Sequence, residues 1–422
     1  MNHQRRDKKV LILGSGFGGA YTLRYLVGSL KRNENVDITV VSDTNFTLFT
    51  PLLHEVATGA IEPRHIAYPI RKLRGSDRFK FVQASVDKID LTGRKVSTNM
   101  GTFSFDYLVL ALGSITDMSD LKHREGFVFT LKNLLDSVLI RNHIIKVFER
   151  ASMEKDPELQ QQLLTFVIAG GGYTGVQLVA ELTEFVRGHL IKLYRSIDRK
   201  NIRILLVEKD KKIMADLHTK LGAYTMKHLI RTGVEVRLKS KVTGTYLNQV
   251  EINGKEIVPS HTLIWVAGIA ASPQIAKLNI NNDSIGRVLV NNYMEIPGFD
   301  GIYAVGDCAH FENTKSHKPI PPRAHTAVRQ AKIVARNILA DIRGRKKKSY
   351  RYSQNAEIVS LGSSKAIFRY HGLRIYGFLA RLLWLMAYST LTPGKYNRIR
   401  IIGDWLWSKI FGRDITYIPL PK

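Results

Sequence analysis

Cysteine is almost missing from this chain: 422 residues carry one, Cys308. An internal disulfide and a CxxC redox pair are therefore excluded, and dithiol chemistry with them. Cys308 itself is expected to be a small buried residue. Long apolar runs are missing too. None reaches the ~18–20 residues needed to span a bilayer. The opening MNHQRRDKK is polar and leads straight into an apolar strand, with no secretory hydrophobic segment before it. His310 and His317 have no metal-ligand spacing, so no metal is assigned. Acidic residues are scarce: 36 Asp and Glu stand against 63 Lys and Arg, a formal net charge of +27. That excess points to a polyanionic partner, either nucleic acid or the anionic face of a membrane.

What is present is an ordinary globular core, 44% hydrophobic, in a chain long enough for two or three domains. Two glycine-rich turns organise it. VLILGSGFGG at 10–19 and FVIAGGGYTG at 166–175 each read as strand, tight turn and helix start. In such a turn the glycines let backbone approach a pyrophosphate, which rests on the helix N-terminus. Gly14, Gly16 and Gly19 form the first cradle; Gly170, Gly172 and Gly175 form the second. Two cradles in one chain suggest two dinucleotides, a resident flavin and an exchanging nicotinamide.

Each cradle has neighbours that sharpen it. The strand at 36–41 ends in Ser42-Asp43, and either residue is a candidate for the ribose of the first nucleotide. The strand at 202–207 ends in Glu208, which suits two ribose hydroxyls and repels a 2′-phosphate, so NADH is expected over NADPH. Lys209, Lys211 and Lys212 weaken that preference, and a plain solvated strand end is the duller reading. Gly306-Asp307 follows the apolar run at 301–305. Asp307 can receive flavin ribityl hydroxyls or simply cap the next helix.

The expected architecture is α/β: two Rossmann-like dinucleotide-binding domains, the second inserted in the first, and a C-terminal amphipathic membrane-anchoring segment. The expected limits are 1–130 and 291–353 for the FAD-binding domain, 131–290 for the NADH-binding domain and 354–422 for the membrane-associating region. Helices are expected at 20–30 and 131–150, a linker at 153–162, and a helix from 176. The stretch 375–391 is largely apolar, with Arg381 its only charge, and 398–411 mixes Ile and Trp with Arg and Lys. These segments fit a core helix pair or, better, a helix lying on an anionic membrane surface. Their apolar faces are too large for a nucleic-acid surface, and no nucleic-acid motif is present.

Further segments carry a resemblance that covers nearly the whole chain. NFTLFTPLLHEVATG at 45–59, AYPIR at 67–71, DYLVLALGS at 106–114, TLKN at 130–133, WVAGIAASP at 265–273, FLARLLWL at 378–385 and DWLW at 404–407 together resemble the type II, single-subunit, non-proton-pumping NADH:quinone oxidoreductases. The resemblance implies an FAD-dependent enzyme that passes a hydride from NADH to FAD and two electrons to a membrane quinone. It implies FAD contacts from Thr50, Gly113 and Ala324, and a nicotinamide contact from Gly268. A peripheral place on the cytoplasmic side of the cell inner or plasma membrane follows from it, and a homodimer is compatible with it. The chain departs from the family at three points. Ser42 stands where an acid is usual after the second strand. Gln177 stands where Glu is usual near the nicotinamide, with Glu181 one turn further on. AHTAVRQ at 324–330 replaces the quinone-side AQxAxQQ, leaving His325 and Gln330 as candidate catalytic residues beside Gln177 and Glu181. A sulfide:quinone oxidoreductase is excluded by the single cysteine. Two other readings are a soluble flavoprotein reductase with a protein acceptor and a non-enzymatic nicotinamide sensor.

Overall fold

A computed structural model describes residues 7–314, 317–353 and 356–419. The chain forms two compact units. The first comprises 1–48, 67–115 and 269–353; the second comprises 49–66, 116–268 and 354–422. The changeovers at 115 and 268 lie earlier than the sequence-based limits of 130 and 290. Residues 354–422 cluster with the second unit rather than standing alone.

The first unit is built on a five-stranded parallel sheet in the order Ile302–Ala304, Tyr107–Leu110, Lys8–Leu13, Val36–Ser42, Lys80–Gln83. Lys8–Leu13 sits at the centre, Val10 pairing with Ile38 on one side and Tyr107 on the other. Its last four residues are all buried, as expected of a parallel strand covered on both faces. The strand order reverses beside this strand, which opens a crevice at its carboxyl end. The Phe17–Ser29 and Ala324–Ile342 helices pack together over the sheet. An antiparallel meander, Val86–Asp90, Lys95–Thr98 and Gly101–Ser104, completes the unit.

The second unit repeats the plan. Its parallel sheet runs Val128–Thr130, Thr262–Trp265, Thr165–Ala169, Arg203–Val207, Val234–Arg237. Thr165–Ala169 is wholly buried and again central. The Leu134–Met153 helix begins in a capping box between Asn133 and Asp136. The expected linker at 153–162 is corrected: Asp156 caps a Pro157–Leu163 helix, with proline at a position where its missing N–H costs nothing. The helix expected from 176 begins earlier, as Tyr173–Glu184, and continues through a π-helical turn at Phe185–Leu190. A C-terminal sheet, Ala356–Ser360, Ala366–Tyr370 and Leu373–Gly377, precedes two helices, Phe378–Leu391 and Lys395–Phe411. Among the described residues no helix is long and apolar enough to cross a membrane.

Candidate functional site

The first cradle is shaped by what its glycines exclude. Gly14 has φ +100°, and a Cβ there would lie 2.3 Å from the Ala111 carbonyl oxygen. A Cβ on Gly19 would lie 1.9 Å from the Gly14 carbonyl oxygen. Gly16, between them, has nothing within 4 Å of its Cβ position. Two glycines are thus demanded by packing, and the middle one faces open space at the start of the Phe17–Ser29 helix. That is the fit expected for a pyrophosphate on a helix N-terminus. Ser42 is buried and its hydroxyl is engaged with Ser15 Oγ at 2.9 Å. Asp43 is exposed, and with Gln83, Ala84, Ser85 and Asn99 it lines an open cavity of about 390 Å³ at the strand ends.

In the same unit Asp307 accepts a hydrogen bond from Ser114 Oγ at 2.7 Å. The turn that carries it is held by Gly306 N–H donating to Gln330 Oε1 at 2.8 Å. Gln330 is therefore buried, with its amide oxygen occupied. Gly113 has φ +69° and open space at its Cβ position. Ala324 begins its helix, and His325 is exposed in the first turn. Desolvation of its ring, and then the nearby Arg323 and Arg329 charges, lower the His325 imidazole pKa. Cys308 is fully buried; burial pushes its thiol up to about 11.

The second cradle repeats the first almost group for group. Gly170 has φ +110°, with the Ala267 amide nitrogen 2.8 Å from its Cβ position. A Cβ on Gly175 would meet the Gly170 carbonyl oxygen at 1.9 Å, while Gly172 has nothing within 4 Å. Glu208 lies beside this turn, accepting from Gly171 N–H at 2.5 Å and from Asp210 N–H at 2.8 Å. Lys209, Lys211 and Lys212 are exposed. Gly268 has φ +79° near Asp117, whose carbonyl accepts from Trp265 Nε1 at 2.8 Å.

The other predicted residues of the second unit separate. Thr50 is exposed. Gln177 is half-buried, and its Nε2 donates to Ser360 Oγ at 3.2 Å. Glu181 is enclosed within a charged network that the sequence did not announce. Arg413 Nη2 donates to its Oε2 at 2.5 Å, and the same nitrogen lies 3.4 Å from Glu184. Arg381 Nη2 and Trp405 Nε1 donate to the two oxygens of buried Glu55 at 3.1 and 2.6 Å. Burial opposes ionisation at Glu181, but Arg413 and Arg381 outweigh it and hold its carboxyl below the ordinary range. Glu55 goes the other way, raised by burial and then by the Glu181 charge. Burial drives the His54 imidazole down to about 4. His54, Glu55 and Glu181 each place a ligand-type atom within 4.8 Å of the others. Guanidinium groups already contact both carboxylates, so the cluster is balanced by arginine rather than built around a cation. The one clue in the sequence was Arg381, a single charge in an otherwise apolar stretch.

Residues 8–331 match the family described as pyridine nucleotide-disulphide oxidoreductase. The chain is 31% identical over 421 residues to a probable NADH dehydrogenase of Dictyostelium discoideum, covering 97% of this chain and 91% of that protein. It is 29% identical over 375 residues to a type II NADH:quinone oxidoreductase of Staphylococcus aureus, covering 88% and 91%. Its fold is similar to that of NDH2 from Plasmodium falciparum in complex with NADH, with a TM-score of 0.88, 18% identity and coverage of 97% and 100%.

Proposed function

The chain belongs to the pyridine nucleotide-disulphide oxidoreductase family, and from that premise we infer an FAD-dependent NADH dehydrogenase that delivers electrons to a quinone. The observation that carries it is the pair of matching cradles, each with two glycines closed by backbone and a middle glycine facing open space. FAD, when bound, supplies a carrier that takes a hydride from NADH and yields two electrons. The lone buried Cys308 leaves no dithiol to take part.

In this reading Gly14, Gly16 and Gly19 hold the FAD pyrophosphate. Asp43, exposed at the strand end, meets the ribose rather than buried Ser42, whose hydroxyl contacts Ser15 Oγ and Asp43 Oδ1. Asp307, braced by Ser114, receives ribityl hydroxyls, with Gly113 lining the cofactor. The helix beginning at Ala324 presents its N-terminal dipole. Gln330 holds the Gly306–Asp307 turn and acts as a positioning residue, which leaves His325 as the quinone-side candidate of that motif. Gly170, Gly172, Gly175, Glu208 and Gly268 hold NADH.

The last two helices carry a membrane-surface role in this reading. Phe378, Met386, Ile399, Trp407 and Ile410 are each at least 63% exposed. Apolar side chains in such number, on helices too short and too charged to span, suit insertion into the headgroup boundary, and the net charge of +27 favours anionic lipid. A peripheral position on the cytoplasmic face of the plasma membrane is the corresponding location.

The deciding experiment is anaerobic addition of NADH to the purified yellow protein, followed by a short-chain ubiquinone. Flavin absorbance is expected to fall and then recover. A colourless protein that FAD cannot reconstitute, or a reduced flavin that no quinone reoxidises, overturns the reading.

A further inference from the structure

The sheet that precedes the last two helices has two unlike faces. Its three strands pair antiparallel, with Glu357 opposite Arg369 and Arg369 opposite Arg374. That charged row is used within its own unit. Arg369 Nε lies 3.0 Å from Glu357 Oε2, Arg374 Nη1 donates to His218 Nε2 at 2.8 Å, and Tyr173 Oη donates to Glu357 Oε1 at 3.1 Å. Side chains alternate along a strand, so the residues between these point the other way. On the opposite face Ile358, Phe368 and Ile375 form one row across the strands, and Ala356, Tyr370 and Leu373 form the next. No charged side chain of the three strands lies there.

The inner row is half-buried and the outer row is exposed. Tyr370 keeps 50% exposure and Leu373 57%. They flank the His371-Gly372 turn, at the tip of the hairpin. Leu373, Ile375 and Gly377 share the apolar face, so no charge separates the tip from the Phe378–Leu391 helix that follows. Phe378 and Leu379, which open that helix, are exposed as well. Single exposed apolar residues are ordinary, but a series of them marks a contact surface.

Resting on the membrane-surface reading of the last two helices, we propose that the Ala366–Gly377 hairpin is a further membrane-contact element, with Tyr370 and Leu373 entering the headgroup boundary of a lipid bilayer. Shape selects this partner. Adjacent strands lie about 4.8 Å apart, so a hairpin tip offers a ridge far smaller than the ~800 Å² per partner of a stable protein interface. A lipid surface needs no matching relief. Tyrosine suits the headgroup level, with its ring in the acyl boundary and its hydroxyl in water. The backbone limits the depth. Leu373–Gly377 is an edge strand, and its outward N–H and C=O groups would lose their water in hydrocarbon. The tip side chains enter, and the strand stays at the interface.

The lone native cysteine is sealed in the core, so Leu373→Cys gives the full-length FAD-loaded protein one reactive thiol. That thiol is labelled with a polarity-sensitive fluorophore, and the protein is mixed with phosphatidylcholine–phosphatidylglycerol vesicles. Emission is expected to rise about threefold and to be quenched by brominated acyl chains. Leu247→Cys, at an exposed turn of the same unit, takes the same label and is expected to give no response. Leu373→Glu is expected to weaken vesicle binding about tenfold. A label at 373 that stays in water on vesicle-bound protein, or responds no more than the label at 247, overturns the proposal, as does unaltered binding by Leu373→Glu. So does a response that appears without vesicles as protein concentration rises, which marks a second copy on this face. If Leu373→Cys loses its flavin, Tyr370→Cys carries the same comparison. Failure of the parent reading looks different: the unlabelled wild-type protein does not sediment with vesicles at all.

Discussion

Arg413 Nη2 meets Glu181 Oε2 at 2.5 Å, with the two side chains only 2% and 1% exposed. Arg413 follows the last helix and Glu181 lies on the helix that begins at the second glycine cradle. The pair fastens the segment after the Lys395–Phe411 helix to the Tyr173–Glu184 helix of its own unit. It also concentrates much of the energetic risk of that unit in one contact.

Removing one partner should therefore cost far more than removing both. Arg413→Met leaves the Glu181 carboxylate buried without its cation, a loss of about 3–5 kcal/mol. Arg413→Met combined with Glu181→Gln should recover a large part of that loss. Urea denaturation of the three proteins checks it, and a double variant no more stable than Arg413→Met refutes it.

Acid sensitivity follows from His54. Its folded pKa of about 4 lies below the ordinary 6.5, so the unfolded chain binds the proton more readily. Stability is full above pH 6.5 and declines as pH falls through 6.5 towards 4, by on the order of 3 kcal/mol for this group. Glu181, also lowered, adds to the loss on the acid side, whereas Glu55, raised, works in the opposite sense. In His54→Phe the decline between pH 6.5 and 4 should be visibly shallower in a thermal melt series.

The glycines of each cradle should divide into two phenotypes. Gly19→Ala and Gly175→Ala force a Cβ against backbone at 1.9 Å and should destabilise the fold itself. Gly16→Ala and Gly172→Ala meet open space and should leave folding intact. Gly16→Ala is expected to lower flavin content. Gly172→Ala should retain flavin yet raise the KM for NADH about tenfold, equivalent to ~1.4 kcal/mol. Flavin absorbance per polypeptide and steady-state kinetics separate the outcomes.

The exposed helix faces can be tested without truncation. Deleting everything after Ser353 would remove Ser360, Arg381 and Arg413 from a unit they help to build, so loss of membrane recovery would be uninterpretable. Ile399→Glu with Ile410→Glu alters two side chains that are each 70% exposed. Each buried isoleucine is worth roughly 1.5–3 kcal/mol of transfer energy. Binding to vesicles with anionic headgroups should fall by at least tenfold, while ferricyanide reduction in solution stays unchanged. Unaltered sedimentation with vesicles would place the membrane contact elsewhere.

Local signals made both parallel sheets legible. Val10–Leu13 and Phe166–Ala169 announced themselves as apolar runs closed by glycine, and the structure centres each sheet on them. Val86–Asp90, Lys95–Thr98 and Gly101–Ser104 escaped notice because strands of four or five residues with mixed burial carry too short a period to read. Asp156-Pro157 is a helix-start signal, yet polarity made the segment look like a linker. The Glu55–Arg381 and Glu181–Arg413 pairs join residues 326 and 232 positions apart, and no local pattern reports such partners. Motif puts Gln330 on the acceptor side, and no local pattern reports that its amide oxygen also accepts from Gly306 N–H, 24 residues earlier.

The solitary thiol has an outcome for resilience. Cys308 is sealed in the core, its sulfur donating weakly to the Leu110 and Val305 carbonyls, and burial disfavours the thiolate that peroxides attack. With no second thiol to pair with, the polypeptide offers oxidants no cysteine handle, and electron flow should continue under a peroxide load that would silence a dithiol-dependent flavoenzyme.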